Sequence, residues 1–275
     1  MKKNRTVAID GIKASNDAKL FFIAGTCALE SEELLYKTGK ALKAMFKTLG
    51  AGFVLKCSFD KANRSSIRSF RGPGLREGLR ALKSVKLRLD VSLLTDVHEP
   101  WQADAVAEVA DILQIPAFLC RQTDLLQACA RTGRVVNVKK GQFLSPWEMG
   151  NAIEKIESAG NHKILLTERG SSFGYNNLVV DMRSLAVMKG FGYPVVYDCT
   201  HSVQLPGGLG HATGGQSEFI APIARAAAAV GIAGVFFETH PNPSKALSDG
   251  TNMLQLGQAL SLVKSLQAVD KAVKQ

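Results

Sequence analysis

The chain lacks a cysteine pair. Its five cysteines, Cys27, Cys57, Cys120, Cys129 and Cys199, are odd in number and form no CxxC, the usage of a reduced intracellular protein rather than a disulfide scaffold. A secretory signal is also lacking, since Met1–Asp10 is basic without an apolar core, and this predicts a cytoplasmic protein. The most apolar stretch, residues 219–237, is interrupted by Pro222, Arg225, Gly231 and Gly234. It suits a buried helix feeding a strand and excludes a membrane span. No basic run interleaves with aromatics: there are 34 Lys plus Arg against 24 Asp plus Glu, a net charge of +10, and the two terminal tails and Ala81–Arg88 hold scattered cations that read as solvated faces. That distribution argues against nucleic acid and for anionic small molecules as partners. The glycine-rich Leu205–Gly215 lacks the GK[ST] of a phosphate-binding P-loop and does not run from strand into helix as a dinucleotide fingerprint does, so it is read as a mobile lid. There is no linker, and 275 residues with 46% hydrophobic content predict one domain spanning 1–275.

What is present is a set of eight short apolar runs: Leu20–Gly25, Gly52–Leu55, Val91–Leu94, Asp111–Ile115, Val135–Val138, Lys163–Leu166, Pro194–Tyr197 and Gly234–Phe237. They are too short for helices and continuously apolar, as parallel strands covered on both faces are. The segments between them read as helices: 32–49, 74–89, 100–110, 124–132, 145–159, 181–189, 218–230 and 252–273. Eight strand–helix units in this length predict a TIM (β/α)8 barrel of the α/β class, which typically takes ~250 residues and builds its site from the loops after the strands. Val7–Ile9 and Ile12–Ala14 around Asp10-Gly11 predict an N-terminal hairpin within residues 1–18, placed to cover the barrel bottom. Ser31 with Glu32 and Glu33 marks the start of the first helix. Three connections are long, 57–73, 198–217 and 239–250, and long loops commonly carry function.

Polar groups gather where the runs stop: Cys27, Lys56, Asp96 with His98, Gln114, Lys139, Glu168 with Arg169, Asp198 with His201, and Glu238 with His240. Residues 56–71 hold five cations and four serines against one carboxylate, a donor set for phosphate or carboxylate. Lys139 and Arg169 end two further strands and point the same way. Cys27, His201, Glu238 and Asp249 would meet because strands one and eight adjoin in a closed barrel. Thiolate, imidazole and carboxylates together are competent for a divalent transition metal; by residue type alone Cys27 reads equally as a small core side chain. Cys57, Cys120, Cys129 and Cys199 read as packing residues. His98 is either catalytic or an orienting partner of Asp96, His240 is a supporting partner of the cluster, and His162 and His211 belong to surface or loop.

The stretches Ala24–Ser31, Lys56–Gly72, Gln114–Asp124, Asn137–Phe143, Thr167–Gly170, Asp198–Gly210 and Glu238–Pro241 closely resemble the 3-deoxy-D-manno-octulosonate 8-phosphate synthase family, and the match spans the chain. The resemblance implies condensation of phosphoenolpyruvate with D-arabinose 5-phosphate, releasing inorganic phosphate, for the lipopolysaccharide inner core. It implies a phosphoenolpyruvate pocket of Lys61, Lys139 and Arg169 with Gln114 and Lys56 beside it, and sugar-phosphate contacts from Asn63, Arg64 and Ser65. Phe118 and Arg121 would come from a neighbouring subunit of a homotetramer. Members with asparagine at the position of Cys27 work without metal. Those with cysteine hold a divalent ion, such as zinc, iron or manganese, through residues matching Cys27, His201, Glu238 and Asp249, which places this chain in the metal-dependent class. Catalytic roles then fall on Lys139, His201, Asp96 and Asp249. Thr26 departs from the proline that many relatives carry before the cysteine, which leaves the stiffness of the first loop and the metal affinity open. Three other readings stand beside this one. A 3-deoxy-D-arabino-heptulosonate 7-phosphate synthase would use erythrose 4-phosphate, but tends to read Lys-Pro-Arg-Thr-Ser where this chain has Lys61-Ala-Asn-Arg-Ser65. A Schiff-base aldolase would use Lys139 as nucleophile, and a non-catalytic protein would bind the anions without turnover.

Overall fold

The computed structural model describes residues 2–208 and 213–274. Val7–Ile9 (β1) and Ile12–Ala14 (β2) pair antiparallel, with Asp10 and Gly11 both at positive φ, 37° and 81°, as a two-residue turn between twisted strands requires. The remaining strands are β3 (Phe21–Ala28), β4 (Phe53–Ser58), β5 (Ser92–Asp96), β6 (Ile112–Ile115), β7 (Val135–Lys139), β8 (Ile164–Glu168), β9 (Ser171–Ser172), β10 (Leu178–Val179), β11 (Val195–Asp198), β12 (Gln204–Leu205), β13 (Gly214–Gly215), β14 (Gly234–His240) and β15 (Leu254–Gln255). The helices are α1 (Glu32–Thr48), α2 (Leu75–Leu89), α3 (Ala103–Ala107), α4 (Thr123–Arg131), α5 (Met149–Glu157), α6 (Met182–Lys189), α7 (Ile220–Ala229) and α8 (Ala259–Lys274).

Strands β3 to β8, β11 and β14 pair in parallel, and β14 returns to β3 with Glu238 opposite Gly25. The sheet is therefore a closed (β/α)8 barrel. Side chains alternate across each strand. One set, including Phe22, Leu55, Leu93, Leu113, Val136, Leu166, Tyr197 and Phe237, packs under the helices. The other set, Phe21, Ile23, Val54, Leu94, Ile112, Val135, Leu165, Val196 and Phe236, fills the barrel with Val7, Ile9 and Ala14 of the hairpin. Both faces of each strand's first half are apolar, which is why the runs read as continuous in the sequence. Two residues further along the interior face the chemistry changes: Val54 is followed by Lys56, Leu94 by Asp96, Ile112 by Gln114, Val135 by Asn137, Leu165 by Thr167, Val196 by Asp198 and Phe236 by Glu238. The barrel is thus greasy at its hairpin-plugged end and polar at its open end.

Three expectations need adjusting. Cys27, Lys56, Asp96, Gln114, Lys139, Glu168, Asp198, Glu238 and His240 are strand residues rather than loop residues, because the strands run on through them, while His98, Arg169 and His201 follow the strand ends. The last helix begins at Ala259 rather than near Asn252, since Leu254–Gln255 pairs with Thr239 and His240 at the end of β14. The helix expected at 100–110 opens with a 3-10 turn, Pro100–Gln102, and ends at Ala107. The helix α1 is capped as read, with Ser31 Oγ accepting from the Leu34 amide at 3.1 Å. Part of the glycine-rich lid and His211 lie outside the described residues. Among the described residues no helix is long and apolar enough to cross a membrane.

Candidate active site

At the open end, β3, β11, β14 and the loop after β14 bring four groups together. Cys27 Sγ lies 3.2 Å from Asp249 Oδ2 and 3.1 Å from Ser248 Oγ. One donor atom each from Cys27, Glu238 and Asp249 sits within 4.8 Å of the others. His201 Nε2 faces the same space, 3.5 Å from Glu238 Oε2 and 4.0 Å from Asp249 Oδ2. Its other nitrogen, Nδ1, is 2.6 Å from Asp198 Oδ2. A carboxylate there holds the proton on Nδ1 and frees the Nε2 lone pair. Glu238 is fully buried; its Oε1 accepts from Lys56, while Oε2 has no hydrogen-bond partner. An orphaned buried carboxylate oxygen among a thiol, an imidazole and a second carboxylate fits a divalent cation, and the mixed sulfur, nitrogen and oxygen set fits a transition metal. Burial, then Glu238, pushes the Cys27 thiol well above its ordinary range, with Asp249 adding to the rise and Lys61 and Lys56 opposing it.

Cations converge beside this cluster. Lys56, Lys61, Arg64, Lys139 and Arg169 line one mouth together with Asn63, Ser65, Asp96, His98, Gln114 and Phe118. Lys56, 1% exposed, donates to the Cys27 carbonyl at 2.7 Å and to Glu238. Burial opposes the Lys61 ammonium, yet Cys27, Glu238, Asp249 and Asp96 together raise it well above its ordinary value. Lys139 is ion-paired with Asp198; burial still pulls its ammonium down, with Asp198 and Glu238 opposing. Arg169 uses Nη2 to donate to Gln204 Oε1 at 2.6 Å and leaves Nη1 buried without a partner. Arg64 donates to Ser248 Oγ at 2.7 Å, approaches Asp249 Oδ1 at 3.6 Å, and leaves Nε unpartnered. Unspent guanidinium donors beside buried ammonium groups are what an anionic ligand would satisfy.

Most residues singled out from the sequence meet here; a few do not. Arg121 sits outside the mouth, in a hollow with Cys120 and with Lys155 of α5, whereas Phe118 reaches the mouth and is 54% exposed. Glu168 turns away, accepting from the Arg169 and Gly170 amides and from Ser184 Oγ of α6. His240 accepts the Asn242 amide on Nδ1 and lies 3.9 Å from Glu30. Burial lowers the proton affinity of His98, which packs edge-on to Phe59. Thr26 donates its hydroxyl to Cys57 Sγ at 3.3 Å, and its carbonyl accepts from Lys56 at 3.4 Å. Three residues were missed, Ser248, Asn137 and Thr167, and Asp198, grouped with His201 at a strand end, was given no role. Asp198 had a signal, a strand-end acid three positions before His201; Ser248 had none, because its partners Cys27 and Arg64 are 221 and 184 positions away.

A closed barrel that collects five cations and a thiol, imidazole and two carboxylates at one strand-end mouth defines an enzyme acting on small anions. Residues 2–275 match the family model described as the DAHP synthetase I family, and the chain belongs to that family. Within it the chain groups with proteins named 2-dehydro-3-deoxyphosphooctonate aldolase: it is 57% identical to the one from Thiobacillus denitrificans over 263 residues, 96% of this chain and 94% of the relative. It is 53% identical to that of Syntrophotalea carbinolica, covering 98% and 97%, and 54% identical to that of Geobacter metallireducens, covering 98% and 99%.

Proposed function

We propose that this enzyme condenses phosphoenolpyruvate with D-arabinose 5-phosphate and water, giving 3-deoxy-D-manno-octulosonate 8-phosphate and inorganic phosphate, a transferase step toward the lipopolysaccharide inner core. The observation that carries it is the meeting of Lys56, Lys61, Lys139 and Arg169 with Cys27, His201, Glu238 and Asp249 in one mouth. Its relatives' names point to the same reaction. Carbon 3 of the enol phosphate attacks the sugar aldehyde, positive charge develops at carbon 2, water adds there, and the hemiketal phosphate loses phosphate. Cations do not stabilise a positive carbon. Lys61, Lys139, Arg169 and Lys56, with Gln114, instead hold the phosphate and carboxylate in attack geometry, positioning that can supply ~7–11 kcal/mol. Asn63, Arg64 and Ser65, on the segment after β4, hold the sugar phosphate. Asp96 and Asp249 are carboxylates facing these cations.

Cys27, His201, Glu238 and Asp249 would hold a divalent transition ion such as zinc, iron or manganese. When bound it supplies Lewis acidity, either to the aldehyde or to the water. Asp198 keeps the His201 proton on Nδ1, away from the cluster. The exposed aromatics Phe143 and Trp147, and Arg121 outside its own mouth, support a homotetramer in which Arg121 reaches a neighbouring site, whereas Phe118 lines the mouth of its own chain. Five free, buried cysteines and phosphorylated substrates suit the cytoplasm.

A phosphate-release assay with both sugars, before and after chelation, tests the reading. Release should require arabinose 5-phosphate, stop on chelation and return with added divalent ion. Equal or faster turnover with erythrose 4-phosphate overturns the substrate, and full activity in metal-stripped protein overturns the metal. The lowered proton affinity of Lys139 favours a Schiff-base aldolase as the second reading, and a lysine adduct trapped by borohydride would establish it.

A further inference from the structure

Beneath the cations, five neighbouring strands are tied by side chains alone. Thr167 Oγ1 on β8 donates to Asn137 Oδ1 on β7 at 2.6 Å, and Asn137 Nδ2 donates to Gln114 Oε1 on β6 at 2.9 Å. Gln114 Nε2 donates to Asp96 Oδ1 on β5 at 2.6 Å, while Ser58 Oγ on β4 donates to Asp96 Oδ2. All five side chains are buried.

The direction of this chain is forced from one end. An ionised carboxylate accepts and never donates, so Gln114 must turn its amide nitrogen to Asp96 and its carbonyl to Asn137. Asn137 then has to present its own nitrogen to Gln114 and its carbonyl to Thr167, whose hydroxyl closes the series as a donor. An amide nitrogen carries two hydrogens, and Gln114 commits only one of them to Asp96 while lining the mouth. Flipped, the same amide would set its carbonyl against Asp96 and against any anion above it.

We propose that Thr167 and Asn137 are positioning residues that hold the Gln114 amide in the orientation Asp96 sets, so that it presents an N–H, not a carbonyl, to the anionic substrate, phosphoenolpyruvate, bound among Lys56, Lys61, Lys139 and Arg169. Neither residue touches that substrate; each acts through the next. The inference rests on the phosphoenolpyruvate reading of the mouth and extends it. Because each link is a buried hydrogen bond, cutting one frees the amide to turn, and the loss of its hydrogen bond to a charged ligand is worth roughly 5- to 100-fold in affinity.

The experiment is calorimetric titration of phosphoenolpyruvate into the wild-type enzyme and into Thr167→Val, Thr167→Ser and Asn137→Asp, with melting temperatures recorded alongside. Valine matches the shape of threonine without its hydroxyl, serine restores the hydroxyl, and an ionised aspartate accepts from Thr167 but has no hydrogen for Gln114. Thr167→Val and Asn137→Asp should bind roughly 5- to 100-fold more weakly, and Thr167→Ser within about twofold of wild type. A merely structural role predicts lower melting temperatures with affinity unchanged in all three, and that result overturns the proposal while leaving the substrate reading intact. Wild-type protein that binds no phosphoenolpyruvate overturns both. Should Asn137→Asp lose its fold, the valine and serine pair at Thr167 decides alone.

Discussion

Asp198 shows how much one side chain can decide. Its Oδ2 meets both His201 Nδ1, at 2.6 Å, and Lys139, while Oδ1 accepts from the Thr200 and His201 amides at 3.1 and 2.9 Å. Burial opposes this charge, but His201 and Lys139 outweigh it and hold the carboxyl well below the usual range. Replacing it with asparagine keeps the volume and removes the charge, and the amide can donate to Nδ1. The His201 proton then moves to Nε2, closing the lone pair that faces Glu238 and Asp249. Asp198→Asn should therefore weaken divalent-ion affinity about 10- to 100-fold, read by metal-buffered titration. Unchanged affinity would show that Asp198 serves Lys139 alone.

Among the elements, the β1–β2 hairpin stands furthest from the chemistry and is the simplest to test. Val7, Ile9 and Ala14 join the barrel-filling cluster with Phe21, Val54 and Phe236, so the hairpin completes a core rather than decorating it. Ile9 is 2% exposed. Truncating such a side chain costs about 2–5 kcal/mol through lost burial and the cavity left behind. Ile9→Ala should lose stability in that range in urea titration and keep wild-type KM for both substrates. A change in KM with stability preserved would mean that the plug transmits to the mouth. The strands carry a division by position: residues near the hairpin fill, and those two steps further along the same face carry the polar groups of the mouth. The β14 strand is the clearest case, with Phe236 in the plug and Glu238 in the cluster.

At the scale of the whole molecule the open end concentrates charge that the fold must hold in place. Asp96, Asp198, Glu238 and Asp249 all titrate below their ordinary values in the folded state despite burial, because Lys56, Lys61, Lys139 and His201 surround them. A depressed carboxylate adds stability above its unfolded pKa, roughly 4, and loses it as pH falls through its folded value. Lys56 and Lys61 are raised; they add stability below the unfolded lysine pKa of about 10.4 and lose it as pH rises through their folded values. The urea midpoint should therefore begin to fall below pH ~6.5, where unfolded His98 takes up a proton that burial disfavours in the folded state, and fall more steeply below pH ~4. Asp198→Asn should show a shallower acid limb, and an identical limb would locate the acid sensitivity elsewhere.

The sequence by itself determined the eight strands, the hairpin, the order of the helices and the list of groups at the strand ends. It could do so because these are local properties: run length, period, caps, and an Asp-Gly turn. Its reading of Lys56, Lys139, Arg169, Cys27, His201 and Glu238 as neighbours needed barrel closure, and that of Asp249, in the loop after the last barrel strand, needed the family resemblance. Tertiary structure alone decided which strand-end groups face the mouth and which turn away, as Glu168 does toward α6. It also decided who partners whom: Ser248 with Cys27 and Arg64, and Asp96, Gln114, Asn137 and Thr167 in one hydrogen-bonded row. Those contacts join residues far apart in the chain through the alternation of side chains across curved strands, and no sequence period encodes the stagger that sets them.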